Sequence, residues 1–301
     1  MTMGRTDLMS ALISRGFWID GGTQGIVGRT ARFESLVQGV ESVINIYAAE
    51  DGAEVVAFPP VVDREILRRA NYMESFPELC GSIHSYRKDR GRHLDLIDRV
   101  DEQGDWSEFL EQQPVTLCPA ACYPLYPTCA GTLPPVGRLY DLTSYVFRAE
   151  PSDDPARLQS FRQHENVRIA EAEIVADWRR VWIERVDEIF EKLGLTSELA
   201  VASDAFFGRG GRLLAENQIA DELKFEVLVQ VTSDDAPTAI ASLNLHEEKF
   251  GRAFGIETHG GHVAHSGCIG FGLERIVLAL LVTHGFDVSS WPGSVREAMS
   301  L

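Results

Sequence analysis

The sequence predicts an α+β fold in which helices flank a mostly antiparallel sheet. One observation is a succession of strand-like segments without regular β–α–β alternation; they lie at 144–150, 160–169, 224–231, 238–245 and 267–272. Another is an amphipathic pattern over 171–193, in which apolar residues recur every three or four positions before Gly194. A third is an apolar helical run over 273–285. Strands that follow each other directly pair most simply as antiparallel neighbours, and the two helices can then cover the sheet.

The first third of the chain shows a less regular pattern. Residues 1–70 are predicted to be mixed α/β, with strands over VINIYA (43–48) and EVVAFPPVV (54–62). Residues 64–80 predict a helix followed by a proline-containing turn. The charged segment 85–113 predicts a helical excursion on the surface.

The amino-acid composition restricts the classes of protein to which the chain could belong. The chain has 301 residues, of which 45% are hydrophobic and 24% charged, and we expect one domain over 1–301. Its 28 Lys and Arg face 45 Asp and Glu, a net charge of −17 that disfavours tRNA or anionic-membrane binding. No apolar run reaches the roughly 18 residues of a membrane span, and the N-terminus lacks a signal-peptide pattern, so we expect a cytoplasmic protein.

Five cysteines are an odd number for a disulfide framework and favour reduced thiols or metal ligands. The segment 114–137 is dense in Pro, Cys and Gly and predicts strands and turns. Downstream, HGGHVAHSGC spaces four possible ligands three residues apart; they are His259, His262, His265 and Cys268. A four-ligand metal site is one interpretation. A single ligand from this stretch, joined by one from the earlier cysteine-rich segment, is the interpretation we favour.

Two motifs contain arginines suited to anion binding. FRAE (147–150) precedes a loop and then FRQHE (161–165), a hairpin that would place Arg148 and Glu150 on one face of an extended strand. Such an arginine could hold a phosphate or carboxylate, although spacing alone favours an exposed cross-strand ion pair. GFGLER (270–275) places Arg275 in the first turn of an apolar helix, where it opposes the helix dipole unless an anion lies nearby. A buried structural arginine is the alternative.

Two further segments each have two possible functional interpretations. FFGRGGRLL (206–214) is either a mobile turn or an active-site flap that contacts nucleotide; it lacks the spacing of a phosphate-binding loop. The basic residues of SYRKDRGRH (85–93) are either solvated surface or a docking point for an acidic partner; they are Arg87, Lys88, Arg90 and Arg92.

The combination of FRAE…FRQHE with a distant GFGLER resembles the second and third motifs of class II aminoacyl-tRNA synthetases. Within that class the sequence is most similar to the amino acid:[carrier protein] ligases, truncated homologues of seryl-tRNA synthetase. The similar segments are PAACYPLYP (119–127), DPARLQSFRQHE (154–165), FFGRGGRLL and AHSGCIGFGLER (264–275). These ligases lack the coiled-coil arm that grips tRNA, and the chain likewise shows no long heptad helix pair at its start.

The resemblance implies a reaction and a metal. A small amino acid would be activated with ATP to an aminoacyl-adenylate, which the phosphopantetheine thiol of a carrier protein would then attack. The family's zinc ligands match Cys122, Glu165 and Cys268, with Cys129 as the rival to Cys122. Three ligands leave a fourth position for the deprotonated α-amine of the substrate. We expect glycine or alanine because an amine held on zinc under packed side chains leaves little room.

The resemblance also implies nucleotide contacts. Arg148 would bridge the α-phosphate and the substrate carboxylate, and Arg275 would hold the γ-phosphate. The remaining nucleotide contacts would come from Glu150 at the adenine, Arg157 and Leu158 at the phosphates and base, and Phe161 stacking on adenine. Ser242 and Asn244 are weaker candidates for the substrate pocket. Magnesium is expected with ATP, but 238–241 lacks the acidic residue that the seryl enzymes place there.

The class further implies a homodimer, with its first motif expected near 64–80. A carrier protein could dock on the basic residues of 85–93 or on the helix 171–193 through Arg179, Arg180 and Arg185. Two other functions are left open. One is a tRNA-charging enzyme, and the other is an inactive paralogue that senses an amino acid or adenylate.

Overall fold

The computed structural model describes residues 3–87, 90–208, 211–232 and 237–301. The α-helices are α1 (Arg5–Ser14), α2 (Ala31–Glu50), α3 (Arg64–Arg69), α4 (Tyr72–Ser75), α5 (His93–Asp101), α6 (Ala172–Lys192), α7 (Gly211–Ala220), α8 (Lys249–Phe254), α9 (Leu273–His284) and α10 (Gly293–Ala298). The strands are β1 (Trp18–Thr23), β2 (Ile26–Arg29), β3 (Glu54–Val56), β4 (Val61–Asp63), β5 (Ser82–Tyr86), β6 (Leu110–Leu117), β7 (Gly131–Thr132), β8 (Arg138–Phe147), β9 (Ser160–Ala170), β10 (Glu198–Val201), β11 (Lys224–Val229), β12 (Thr238–Glu247), β13 (Ile256–Glu257) and β14 (His265–Gly272).

A seven-stranded sheet forms the centre of the molecule. Its strand order is β10-β11-β12-β14-β9-β8-β3, and every pairing is antiparallel except the edge pairing of β3 with β8. The predicted α+β fold with a mostly antiparallel sheet is therefore confirmed. A smaller antiparallel sheet, ordered β4-β6-β5, lies between β3 and β8 in sequence.

Helices α2, α6 and α9 cover one face of the central sheet. Their apolar stripes pack on inward side chains of the strands, with Trp182 of α6 and Phe271 of β14 in ring contact at 6.3 Å. Helix α9 is apolar on nearly all sides because it is enclosed between the sheet and α2. The predicted helices over 171–193 and 273–285 are confirmed at Ala172–Lys192 and Leu273–His284.

The opposite face of the sheet packs against a second apolar cluster. Its centre is Tyr126, whose ring stacks on Phe250 with centroids 3.9 Å apart. The proline- and cysteine-rich segment forms turns and the short strand β7 over this face, as predicted, together with a 3-10 helix at Tyr126–Cys129 that was not predicted. Cys122 and Cys268 belong to this second cluster.

Several local predictions were wrong. VINIYA (43–48) lies inside α2, because Val40, Val43 and Tyr47 form a buried stripe of helical spacing that outweighs the β-propensity of the segment. The segment 54–62 forms two short strands interrupted by Pro59 and Pro60.

The segment 85–113 is only partly helical: α5 covers its middle, and β5 and β6 extend into its ends. The region 64–80 contains α3, α4 and a 3-10 turn at Pro77–Leu79, in agreement with a helix followed by a proline turn.

In the described part of the chain, no helix is both long enough and apolar enough to cross a bilayer.

Candidate functional site

Three ligand-type side chains from distant segments meet on the sheet face opposite α2, α6 and α9. Cys122, Glu165 and Cys268 each offer one donor atom, and these atoms all lie within 4.8 Å of one another. Each of the three residues is at most 6% exposed. Burial of two sulfurs and a carboxylate together is costly unless a cation or a set of hydrogen bonds compensates them.

Strand register explains why Glu165 and Cys268 meet. In the β9–β14 pair, Glu165 lies opposite Gly270 and Cys268 lies opposite Val167. Because side chains alternate across a strand, Glu165 and Cys268 point to the same face as diagonal neighbours. Gly270 adds no side chain between them, and a methyl group there would lie 3.7 Å from Glu165 Cγ.

The loop after β6 supplies Cys122. The Ala121 amide donates to Gln163 Oε1 at 3.3 Å, which ties this loop to β9 two residues before Glu165. The Leu125 amide donates to the Cys122 carbonyl at 3.0 Å and tightens the turn that presents the sulfur. Cys129, the rival candidate, lies away from the group and contacts the Tyr140 hydroxyl at 3.5 Å.

The electrostatics of the group are those of an uncompensated anionic pocket. Burial, together with the negative charge of Cys268, raises the pKa of Glu165 to about 8. The interaction between the two buried sulfurs raises the pKa of Cys122 and lowers that of Cys268. Glu165 Oε2 has no hydrogen-bond partner in the described structure although it is buried.

The donor set fits zinc. Two thiolates and one carboxylate are ligands that zinc accepts, and three protein ligands with a free fourth position are typical of catalytic zinc sites. A bound cation would provide a partner for Glu165 Oε2, which is buried without a hydrogen bond in the described structure. The histidines of 259–265 do not enter this group within the described residues, so the four-ligand interpretation of HGGHVAHSGC is wrong and the single ligand Cys268 remains.

Arg148, Arg157 and Arg275 form a cluster of arginines, and the charge of Arg148 acts on the donor residue Glu165. Arg275 is half-buried in the first turn of α9, and its guanidinium donates to the carbonyls of Ala156 at 2.7 Å and Ala239 at 2.9 Å. Burial and the nearby charges of Arg148 and Arg157 lower the pKa of Arg275 to about 10. Mutual repulsion among these three guanidinium groups is relieved when an anion such as a polyphosphate binds between them.

The individual nucleotide-contact candidates are placed as follows. Arg148 lies over the Phe161 ring at 5.5 Å and donates to the Pro119 carbonyl at 3.3 Å. Leu158 and Phe161 line a small cavity with Arg275. Arg157 is mostly exposed, with its Nε 3.6 Å from Asp154.

One geometric expectation for FRAE is wrong. Strand β8 ends at Phe147, so Arg148 and Glu150 lie in the following loop rather than on one face of a strand. The Glu150 amide donates to the Arg148 carbonyl at 2.7 Å, which closes a tight turn there. An exposed cross-strand ion pair is also not what forms, because Arg148 turns towards Phe161 and the buried donors.

The two weaker pocket candidates lie beside Cys268. Asn244 pairs with Cys268 across β12 and β14, and its side-chain amide donates to Cys268 Sγ at 3.5 Å and to Ser242 Oγ at 3.2 Å. Sequence reasoning missed His246, whose Nε2 is 3.5 Å from the same sulfur. In the sequence, the only indication was that His246 lies two residues after Asn244 and so shares its strand face. This face points to Cys268 only when β12 is known to pair with β14.

A second missed group is a charged cluster near the donors. Lys224 Nζ lies 2.6 Å from Asp204 and 2.8 Å from Glu226. The segment before α7 is fixed by Phe206, which stacks on Phe76 at 5.3 Å. Residues 209–210 of FFGRGGRLL lie outside the described residues, so the flap remains a prediction.

The basic residues proposed for docking are mostly engaged within the chain. Arg92 lies 3.1 Å from Glu108 and stacks on Phe109, and Arg87 donates to the Leu110 carbonyl at 2.8 Å. Lys88 and the side chain of Arg90 lie outside the described part of the chain. The arginines of α6 also have partners in the chain: Glu222 O for Arg179, Asp177 for Arg180 and Asp51 for Arg185.

Comparison with solved structures defines the class of protein. The Methanopyrus kandleri seryl-tRNA synthetase, solved with Aquifex aeolicus tRNASec, matches 99% of the chain with a TM-score of 0.81 at 23% identity; the match spans 61% of that structure. The Pyrococcus horikoshii seryl-tRNA synthetase with ATP matches 100% of the chain and 63% of that structure with a TM-score of 0.73 at 14% identity. The fold is that of a class II aminoacyl-tRNA synthetase catalytic domain.

Sequence comparison narrows the class to a family. Amino acid–[acyl-carrier-protein] ligase 1 of Bradyrhizobium diazoefficiens is 41% identical over 282 residues, covering 93% of the chain and 86% of that protein. Ligase 2 of the same organism is 42% identical over 282 residues, covering 93% and 84%. The chain belongs to the amino acid–[acyl-carrier-protein] ligases, as the motifs predict, and it is a ligase. No family model matches it. The type-2 serine–tRNA ligase of Methanopyrus kandleri is more distant, at 28% identity over 268 residues, with 82% of the chain and 51% of that protein covered.

Proposed function

We propose that this protein activates glycine or alanine with ATP and transfers the aminoacyl group to the phosphopantetheine thiol of a carrier protein. The observation that carries the proposal is the buried group of Cys122, Glu165 and Cys268 beside the arginine cluster. The first feature suits an amine held on a metal ion. The second suits a triphosphate. Membership of the carrier-protein ligases supports the acceptor.

Zinc is the metal that we assign to this group. When bound by Cys122, Glu165 and Cys268, it would offer an open position to the neutral α-amine of the amino acid, which fixes the substrate in the pocket. Magnesium would accompany ATP.

The arginines would act in the first chemical step. The amino acid carboxylate oxygen attacks the α-phosphorus of ATP, the bond to the β-phosphate oxygen breaks, and pyrophosphate leaves. Arg148 lies over the Phe161 ring and its charge acts on Glu165, so it could neutralise both the carboxylate and the α-phosphate during the attack. Arg275, held by two backbone carbonyls, would bind the γ-phosphate from the other side.

The remaining candidates would bind the nucleotide and the substrate. Phe161 and Leu158 share a cavity with Arg275 and would contact the adenine, with Glu150 at its edge and Arg157 near the phosphates. Ser242 and Asn244 would line the amino acid side of the pocket.

The second step transfers the aminoacyl group. The pantetheine sulfur attacks the carbonyl carbon of the adenylate and loses its proton, the bond to the phosphate oxygen breaks, and AMP leaves. The product is a thioester on the carrier. The pocket favours a small side chain because the donors are enclosed by aromatic residues, with Tyr123 and Tyr126 both at most 8% exposed.

Two experiments test this function. The first is ATP–pyrophosphate exchange across the amino acids, which should be strong with glycine or alanine and absent with large side chains. The second is mass spectrometry of a phosphopantetheinylated carrier, which should gain the mass of the aminoacyl group. A tRNA ligase would be favoured if the protein catalyses ATP–pyrophosphate exchange and charges bulk tRNA, but adds no aminoacyl mass to any carrier protein tested. A sensor would be favoured if an amino acid or adenylate raises the thermal stability of the protein but no ATP–pyrophosphate exchange occurs.

A homodimer is our proposal for the assembly. Strand β3 forms the edge of the central sheet, and its Val55 is 78% exposed, which leaves an apolar, half-paired edge that a second copy could cover. Light scattering at micromolar concentration should give twice the chain mass. A monomeric mass would overturn the assembly without affecting the chemistry. We expect the protein to work in the cytoplasm.

A further inference from the structure

The two cysteines of the donor group have different surroundings. Cys268 Sγ receives two nitrogen donors, Asn244 Nδ2 and His246 Nε2, each at 3.5 Å. Within the described residues, Cys122 Sγ receives no hydrogen bond from a nitrogen; Cys268 and Glu165 lie next to it, and the charge of Lys249 acts on it. The difference follows from the sheet: β12 pairs with β14, so two of its side chains face Cys268, whereas Cys122 lies on a loop.

The hydrogen bonds of His246 determine which ring nitrogen carries the proton. A metal-bound thiolate can only accept hydrogen bonds, so Nε2 must be the protonated nitrogen. Nδ1 is then an acceptor, and it lies 3.2 Å from the Ser266 hydroxyl and 3.3 Å from the Tyr126 hydroxyl, both of which can donate to it. The ring is also packed edge-on against Phe250 at 4.9 Å, which fixes its orientation. The imidazole is thus held from three sides with its Nε2–H directed at sulfur.

We propose that His246 is a positioning residue of the metal centre, which donates an N–H···S hydrogen bond to Cys268 and makes the two thiolates inequivalent. The proposal rests on the zinc site proposed above. Hydrogen bonds withdraw charge from a thiolate, so Cys268 becomes the weaker donor and Cys122 the stronger one. A metal ion with one weakened thiolate retains more positive charge, and its affinity for a neutral amine at the open position increases. Outer partners of this kind orient ligands and tune a metal site.

The test uses the full-length protein with bound metal, and it does not depend on activity. His246→Phe keeps the aromatic ring but removes both nitrogens. His246→Gln retains a side-chain N–H that can reach the same sulfur. Ser266→Ala removes one partner of Nδ1 and leaves the ring in place. His262→Phe is the matched control, because His262 is exposed and lies outside the donor group in the described structure.

Two quantities are measured. Zinc affinity is obtained by competition with a chromogenic chelator, and the energy of the thiolate-to-cobalt charge-transfer band is obtained after cobalt substitution. For His246→Phe we expect zinc binding about 10- to 100-fold weaker, because the buried Cys268 thiolate loses a hydrogen bond that orients it and compensates its charge. We expect the band to shift to lower energy, because the sulfur electrons are no longer stabilised by that hydrogen bond. His246→Gln should recover most of both effects, Ser266→Ala should shift both slightly in the same direction, and His262→Phe should match the wild type.

The results distinguish an error in the proposed role of His246 from an error in the proposed zinc site. If the wild type binds cobalt through thiolates but His246→Phe gives the same band and affinity, His246 is a packing residue and the inference is wrong. If His246→Gln fails to recover the band although it folds, the N–H···S bond is also refuted. If the wild type binds neither metal, the zinc site fails, and with it the proposed function. Should His246→Phe not fold, the Gln and Ala variants decide the question.

Discussion

Glu165 and Cys268 became neighbours through a register that no sequence pattern specifies. The residues themselves were predictable, because PAACYPLYP, FRQHE and HSGC resemble a known family and carry the three donors. Their proximity was not predictable from spacing, since it depends on β9 pairing with β14 so that Glu165 lies opposite Gly270. His246 was missed for the same reason: its role is visible only after β12 is aligned with β14.

Replacement of Cys122 tests the choice between the two cysteines of the proline-rich loop. Cys122→Ser removes one of three ligands, so we expect zinc content to fall below one tenth of that of the wild type and pyrophosphate exchange to be lost. Cys129→Ser should retain both, because that sulfur contacts the Tyr140 hydroxyl instead of the donor group. Elemental analysis after dialysis against a chelator, followed by exchange assays, measures both. Full zinc content in Cys122→Ser would assign the ligand elsewhere.

At the level of elements, the hairpin of β1 and β2 holds the loop that carries the nucleotide-contact candidates Arg157 and Leu158. The Gln159 amide and side chain donate to the carbonyls of Gly25 and Gln24, each at 2.8 Å, and the Gln24 side chain donates to Asp153 at 3.1 Å. Gly25 has a φ of +71°, and a methyl group on it would lie 3.1 Å from the Gln159 amide nitrogen. The hairpin tip is therefore a clamp on the loop between β8 and β9.

Gly25→Ala should disturb nucleotide binding. The added methyl group crowds Gln159, so we expect the KM for ATP in pyrophosphate exchange to rise several-fold. Gly52→Ala is a matched control, since Gly52 has a similar φ of +69° but open space around it. Both variants share the cost of a left-handed alanine, about 1 kcal/mol, and both should lose some thermal stability. Equal KM values in the two variants would mean that the hairpin does not position the loop.

The sequence predicted elements best where periodicity was long. The helices over 171–193 and 273–285 were assigned nearly to their ends, because many turns of amphipathic or apolar pattern outweigh local exceptions. VINIYA failed because six residues are too few to distinguish a buried strand from one stripe of a buried helix. FRAE failed at its end, where a strand stops one residue before Arg148 and no breaker residue marks the boundary.

Over the whole molecule, a buried ion network connects the elements that frame the site. Glu274 of α9 accepts from the Arg162 amide at 2.7 Å and from Arg162 Nε at 2.9 Å, and Arg29 Nε lies 3.1 Å from it. Arg162 also donates to Glu34 of α2. Helices α2 and α9, the hairpin strand β2 and the central strand β9 are thereby joined at one point. Glu274 directly precedes Arg275, so this network also fixes the start of the helix that carries Arg275, our proposed ligand of the γ-phosphate.

Removal of Glu274 should therefore be more costly than removal of Glu34, although both pair with Arg162. The Glu274 side chain is 3% exposed, and its loss leaves the buried Arg29 and Arg162 without their shared carboxylate. Glu34 is 33% exposed, and Arg162 keeps Glu274 when it is lost.

We expect Glu274→Gln to lower the free energy of unfolding by about 3–5 kcal/mol and Glu34→Gln by about 1 kcal/mol or less, measured by urea unfolding of the two variants in parallel. Equal losses would mean that solvent screens the network throughout. A Glu274→Gln variant that folds should also show weaker ATP binding, because the first turn of α9 loses the contact that holds Arg275 in place.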